Sequence, residues 1–205
     1  MTLIPRVARI LSTAAVYSIF CIGMCSAAHA QNAPKKISDP TLIQQMAGTW
    51  NVQQRMWPGV GTEAVNLPPA AARRRLMAGG FLEEVMEPVQ KTGEGSFTRT
   101  AFFNYNAVNQ QYEYFSLDSR APQMMNERSD KTEEQIHPGK DGIKLSGGNF
   151  VAPQWGAVKN AAFTYRLTVG EIKNDRQVVQ LYLTPQGGDS LKEFLAFEYI
   201  YTRQR

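Results

Sequence analysis

The chain has 205 residues, a formal net charge of +4, 43% hydrophobic residues, two cysteines and two histidines. So few thiols and imidazoles exclude a disulfide-stapled scaffold and a Cys/His-rich zinc module. The densest basic run is Arg73-Arg74-Arg75. This falls short of the broad basic stripe with stacking aromatics that a nucleic-acid groove uses, so no nucleic-acid partner is expected.

The first nine residues carry Arg6 and Arg9 and no acid, residues 10–28 have no charged side chain, and Ala28-His29-Ala30 follows. Basic, apolar and A-x-A segments in that order read as a secretory signal over residues 1–30, cleaved after Ala30. A retained membrane anchor fits less well, because Ser12, Thr13, Ser18, Gly23 and Ser26 dilute a stretch barely as long as the roughly 20 residues a span needs. Phe20 before Cys21 and Met24 before Cys25 are too large for a lipid-attachment site. The expectation is an exported protein, periplasmic or extracellular, with no stable membrane insertion after cleavage. Both cysteines leave with the signal, and twenty basic residues then face eighteen acidic ones, a net of +2.

Residues 31–38 are polar and Pro-containing and read as a disordered leader, with a single domain over 39–205. Asp39 as cap, Pro40 at the first helical position, Leu42, Ile43 and Met46 on one face and Gly48 as stop predict a two-turn helix. Beyond it the pattern is β, with strands predicted at 50–57, 73–77, 81–88, 97–106, 111–119, 123–129, 133–137, 142–146, 161–169, 177–184 and 192–202. Gly79-Gly80, Gly93-Glu94-Gly95, the 138–142 run, Lys173-Asn174-Asp175 and the 185–189 run supply turns. Many short strands without intervening helices predict an all-β, antiparallel up-and-down barrel.

One hairpin can be taken to register. A loop at 107–110 pairs Asn106 with Gln111, Tyr105 with Tyr112, Phe103 with Tyr114, Ala101 with Ser116 and Arg99 with Asp118. Its other face pairs Asn104 with Glu113, Phe102 with Phe115 and Thr100 with Leu117. Aromatic and opposite-charge pairs of this kind contribute about 0.2–1 kcal/mol each, so the register is self-consistent. The face bearing Tyr105, Tyr114 and Asp118 is assigned to the interior.

A short helix leading into Gly48-Thr49-Trp50 resembles the calycin superfamily, which includes the lipocalins and the nitrobindin-like proteins. The resemblance implies a barrel whose base is closed by Trp50, with a basic residue near the last strand packing on it. Arg203 suits that part, with Arg205 and Lys192 as alternatives. The Gly79-Gly80-Phe81-Leu82-Glu83 turn and strand, the Phe102-Phe103-Asn104-Tyr105-Asn106 strand and the run from Tyr112 to Asp118-Ser119 resemble a bacterial family described only as a domain of unknown function and usually exported. The similarity extends over about residues 42–129. Asn106 stands where that family has an aspartate, and Ser116 where it has a tryptophan. The resemblance implies an exported lipocalin-like barrel and carries no activity.

Chemistry is sparse. His137 would be the only histidine after cleavage, and before Pro138-Gly139 it reads as a turn residue. Adjacent carboxylates Glu83-Glu84 and Glu133-Glu134 point to opposite sides of a strand and form no dyad. The Arg99–Asp118 pair reads as an ion pair fixing the hairpin, or as a charged group orienting a ligand head. Glycine pairs at 79–80, 147–148 and 187–188 read as turns or bulges, since no phosphate-loop lysine follows. Neither a metal nor a cofactor is called for. The reading is a small-ligand-binding barrel for a partly apolar molecule, lined by Arg99, Phe103, Tyr105, Tyr112, Tyr114 and Asp118, with the oligomeric state left open. Two alternatives stand: a cofactor-free hydrolase or isomerase with a buried carboxyl of raised pKa (Asp118 or a glutamate), and a filled barrel that docks a partner.

Overall fold

A computed structural model describes residues 40–90, 96–130, 142–155, 157–187 and 192–205. The predicted cap Asp39, the signal and leader, the 133–137 strand and His137 lie outside the described residues. The helix α1 (Pro40–Met46) leads into β1 (Gly48–Met56), β2 (Val65–Leu76), β3 (Leu82–Pro88), β4 (Arg99–Asn106) and β5 (Gln111–Asp118). These are followed by β6 (Ala121–Arg128), β7 (Ile143–Trp155), β8 (Val158–Val169), β9 (Arg176–Pro185) and β10 (Phe194–Arg203). Each strand pairs antiparallel with its neighbour in the chain, and β10 returns to β1. The fold is an all-β, closed, up-and-down barrel of the lipocalin-like kind with one short helix.

Period-2 patterning explains why the strands form one wall. In β3 the side chains alternate buried and half-buried along its whole length, and β9 does nearly the same. Alternation of this kind sets one face towards the core and fixes register, because a slip of one residue would turn every inward side chain out. The hairpin of β4 and β5 has the register read from the sequence, from Arg99 opposite Asp118 to Asn106 opposite Gln111. The face assigned to the interior does point inward, with Phe103 and Tyr112 buried and their rings stacked at 5.5 Å.

The helix end of the barrel is closed as the Gly48-Thr49-Trp50 motif implied. Leu42, Ile43 and Met46 are buried there, and Trp50 Nε1 donates to Met46 O at 3.0 Å. The Arg203 guanidinium lies 4.2 Å from the Trp50 ring centre and donates to Ala47 O and Gln45 O. Gly48 has φ +131°, and a Cβ on it would meet Arg203 Nη1 at 2.6 Å. Glycine is thus required where chain and guanidinium converge. At the far end Trp155 Nε1 donates to Pro58 O at 2.7 Å, and Arg120 Nη1 reaches Gln54 Oε1 at 3.3 Å.

Two strands, β2 and β7, run far beyond their predicted lengths. The predicted 73–77 strand is the end of β2, which begins at Val65 and includes Pro68 and Pro69. Prolines are admitted there because the β1–β2 register skips between Val52 and Gln54, leaving both without a ladder partner on β1. The Gln54 amide donates to Pro68 O at 2.8 Å instead. Strand β7 runs through Gly147-Gly148 to Trp155, where the prediction ended at 146. Those two glycines oppose the single residue Tyr165 on β8, a β-bulge, and the strand resumes with Asn149 opposite Thr164.

A Cβ on Gly147 would overlap the Tyr165 ring, whereas one on Gly148 would meet nothing within 4 Å. Gly147→Ala should therefore cost about 1–3 kcal/mol through forced displacement, with Gly148→Ala near neutral. Urea denaturation of the two variants checks the contrast.

Candidate functional site

Alternation places one residue in two of each strand inside, and some of those residues are charged. On β2, Ala70, Ala72 and Arg74 are buried in succession, and on β3, Leu82, Glu84 and Met86. Arg73 and Arg75 point the other way, as does Glu83, which accepts from Arg75 on the outer surface. The triple-arginine run and the Glu83-Glu84 pair are split between faces, as the strand rule requires.

Inside, Glu84 lies between two guanidiniums. Arg74 Nε donates to Glu84 Oε2 at 2.7 Å, and Arg99 Nη2 donates to Glu84 Oε1. Tyr201 Oη donates to the same Oε1 at 3.2 Å and receives Arg99 Nη2 at 3.0 Å. Arg74 Nη1 reaches Gln177 Oε1 at 2.6 Å, and Gln177 Nε2 donates to Gly170 O. The cations also stack on aromatic faces: Arg74 at 3.9 Å from the Tyr201 centroid and 5.3 Å from Trp50, and Arg99 at 4.7 Å from Tyr199. Each cation thus meets both an anion and a π-face, which offsets the cost of burying it.

Burial on its own would raise the Glu84 carboxyl, but the Arg74 and Arg99 charges outweigh it and hold the group down to about 2. Burial raises Tyr201 to about 12, and Tyr114 is pushed up further still. The cavity between Glu84, Arg99, Tyr114 and Tyr201 measures about 20 Å³, room for one water.

The six residues assigned to a ligand are all on inward strand positions, and they divide into different surroundings. Arg99, Phe103 and Tyr112 are buried in the packed interior, while Tyr105 and Tyr114 are partly buried against it, the Tyr105 ring 5.0 Å from Tyr112. Asp118 sits at the far end. The expected Arg99–Asp118 ion pair does not form although the two are register partners. Arg99 is drawn to Glu84, and Asp118 is taken by Arg120 through Nη2 at 2.6 Å and Nε at 2.9 Å. Burial would raise Asp118, but these Arg120 bonds hold it below the ordinary carboxylate range. Asp118 is therefore not the raised-pKa acid that a catalytic reading needs.

That property belongs to Glu127 on β6, which residue patterning did not single out. Glu127 is 1% exposed, and neither of its carboxyl oxygens has a hydrogen-bond partner among the described residues. Burial pushes its pKa up to about 8, and the nearby Arg99 charge offsets this only in part. Arg99 Nε is likewise without a partner among the described residues. Glu127 faces Tyr114 on β5 and Gly147 on β7. The signal available in the sequence was a charged residue in phase with inward positions, Met125-x-Glu127-x-Ser129, and the same holds for Leu82-x-Glu84-x-Met86.

Among the described residues, no group of three or more His, Cys, Asp or Glu is placed to hold a metal ion, and no helix is long and apolar enough to cross a membrane. No family model and no curated protein matches the chain.

Two carboxyls should respond oppositely to pH. Glu84, lowered from 4.5 to about 2, stabilises the fold above pH 4.5, and that contribution is lost as pH falls towards 2. Glu127 is raised, so between about pH 4.5 and 8 the unfolded chain has released a proton that the folded one retains, and stability falls as pH rises. Glu84→Gln should cost about 3–5 kcal/mol by leaving two buried cations short of an anion. Glu127→Gln should gain stability over the parent progressively from pH 4.5 to 8. Denaturant midpoints measured across this range check both signs.

Proposed function

We propose that the protein is an exported barrel that binds a small, partly apolar molecule, and that it belongs with the exported lipocalin-like proteins its sequence resembles. The observation that carries the reading is Glu127. A buried carboxyl with no partner on either oxygen among the described residues costs about 1–3 kcal/mol or more, and such a group calls for a ligand or water to satisfy it. Around it the interior supplies the apolar and aromatic wall usual in small-molecule sites: Met125, Tyr114, Phe150 and Tyr165. The export half of the reading rests on the Arg6/Arg9, apolar and Ala28-His29-Ala30 pattern.

Two other readings each have one observation in their favour. The one-water cavity beside Glu84 favours a filled structural barrel. The raised pKa of Glu127 favours a proton-transferring enzyme, although no histidine, cysteine or second unpaired acid stands beside it among the described residues.

Protein purified from an exporting host and sprayed under native conditions should carry a low-mass species that denaturation releases, on a chain beginning at Gln31. A ligand-free native mass would count for the filled barrel. A chain retaining Met1 inside the cell would contradict export.

A further inference from the structure

The barrel wall is uneven. Strand β6 pairs with β7 at only two positions, Glu127 with Gly147 and Arg128 with Ser146, whereas β7 follows β8 along nearly its whole length. The cause is the bulge. Immediately after the Glu127 pair, Gly147-Gly148 bends β7 away from its neighbour, and no ladder forms between residues 121–126 and residues 149–155. Side chains close this seam instead. The Tyr165 hydroxyl accepts from Asn126 N at 3.1 Å and lies 3.4 Å from Asn126 O, and it also bonds the Gly148 backbone. Gln123 Oε1 takes Val151 N at 3.4 Å.

An unpaired strand edge can recruit another strand, but this one is poorly suited to that use. Pro122 on β6 and Pro153 on β7 have no N–H to donate to a ladder. The seam therefore neither zips up nor invites a partner strand. Its outer rim carries two exposed apolar side chains, Met124 (70% exposed) and Val151 (43% exposed), with the polar Asn126, Arg128 and Asn149 towards Glu127. At its foot is Glu127. Among the described residues, contacts also cross both ends of the barrel: α1 and Arg203 at one, Trp155–Pro58 and Arg120–Gln54 at the other.

We propose that the β6–β7 seam is the lateral entrance to the barrel, and that it admits a neutral, mainly apolar molecule whose single polar group bonds Glu127. The inference rests on the ligand-binding reading above. A neutral head is favoured on two grounds. The Met124 and Val151 stretch of the rim offers no counter-ion to a charged group leaving water, and Arg128 at its foot is paired with Glu113. Inside, an anionic head would lie beside the Glu127 carboxyl with Arg99 Nη2 already engaged by Glu84 and Tyr201, and a cationic head would require Glu127 to ionise in a buried site, a desolvation cost that a buried ion pair seldom recovers. A hydroxyl or carbonyl needs only the hydrogen bond that Glu127 lacks.

The test uses the full mature chain at neutral pH and Nile red as reporter, with three competitors of equal chain length: dodecan-1-ol, dodecanoate and dodecylammonium. The alcohol should displace the dye at about tenfold lower concentration than either ion. Glu127→Leu should weaken the alcohol by about tenfold, the value of one hydrogen bond, while Glu127→Gln restores it. A bulky side chain in the open space at Gly148 (Gly148→Trp, with Gly148→Phe as a second variant) should slow dye association in stopped flow, and Trp155→Ala at the far end should not change it. Equal or better displacement by an ion would overturn the neutral-ligand assignment. Association quickened by Trp155→Ala and indifferent to Gly148 variants would overturn the lateral route. If no dye binds to folded protein, the ligand-binding reading itself fails and this inference with it.

Discussion

The placement of Glu84 between Arg74 and Arg99 is the constraint on which the interior depends. The three side chains come from β2, β3 and β4, and through Tyr201 and Gln177 they reach β10 and β9 on the opposite wall. Half of the strands of a ten-stranded barrel are thereby joined across its middle. Buried ion pairs seldom surpass well-packed apolar residues in stability, because desolvation consumes much of the Coulomb gain. What this cluster provides is register. A slip of one residue in β3 would turn Leu82, Glu84 and Met86 out and bring Glu83, Val85 and Glu87 in, burying two carboxylates where one is now matched to the two guanidiniums. The wrong pairing is thus costly at one identifiable point.

A barrel of ten strands encloses more space than one of eight, and something must fill it. Here arginines stacked on aromatic faces do so: Arg203 on Trp50, Arg74 on Tyr201, Arg99 on Tyr199 and Arg120 on Phe97, in a column from the helix end towards the far end. The planar guanidinium suits the role because it can face a ring and bond an acceptor at its edge at the same time. The column leaves space for about one water beside Glu84. The Gly147-Gly148 bulge and the unpartnered Glu127 lie apart from this column and next to each other.

Much of this was legible in the sequence. Alternation and a four-residue loop were sufficient for the β4–β5 hairpin, because its register depends on local pairs alone. The Trp50–Arg203 closure could be anticipated from its motif. The ion pairing could not, since which carboxylate a buried arginine takes is decided by groups brought in from other strands. Arg99 is opposite Asp118 in the ladder, yet it bonds Glu84 on the other side, and Arg120 from the following turn replaces it. Pro68-Pro69 and Gly147-Gly148 look like chain breaks in one dimension. In the barrel they sit at irregularities of the ladder, where a missing N–H or a missing Cβ is an advantage. Glu127 was overlooked because an isolated glutamate among Met125, Asn126 and Arg128 resembles an ordinary solvated side chain until the phase of β6 is known.

The central proposal is that the barrel wall opens laterally along the β6–β7 seam. Residue-resolved hydrogen exchange under native conditions tests it most directly, because local opening and global unfolding separate in protection. The seam-facing amides of Met124 and Asn126 should exchange through local opening, well before those of Leu167, Leu181 and Leu183 in the continuous β8–β9 ladder. Protection of the Met124 and Asn126 amides equal to that ladder, lost only on global unfolding, would contradict the account.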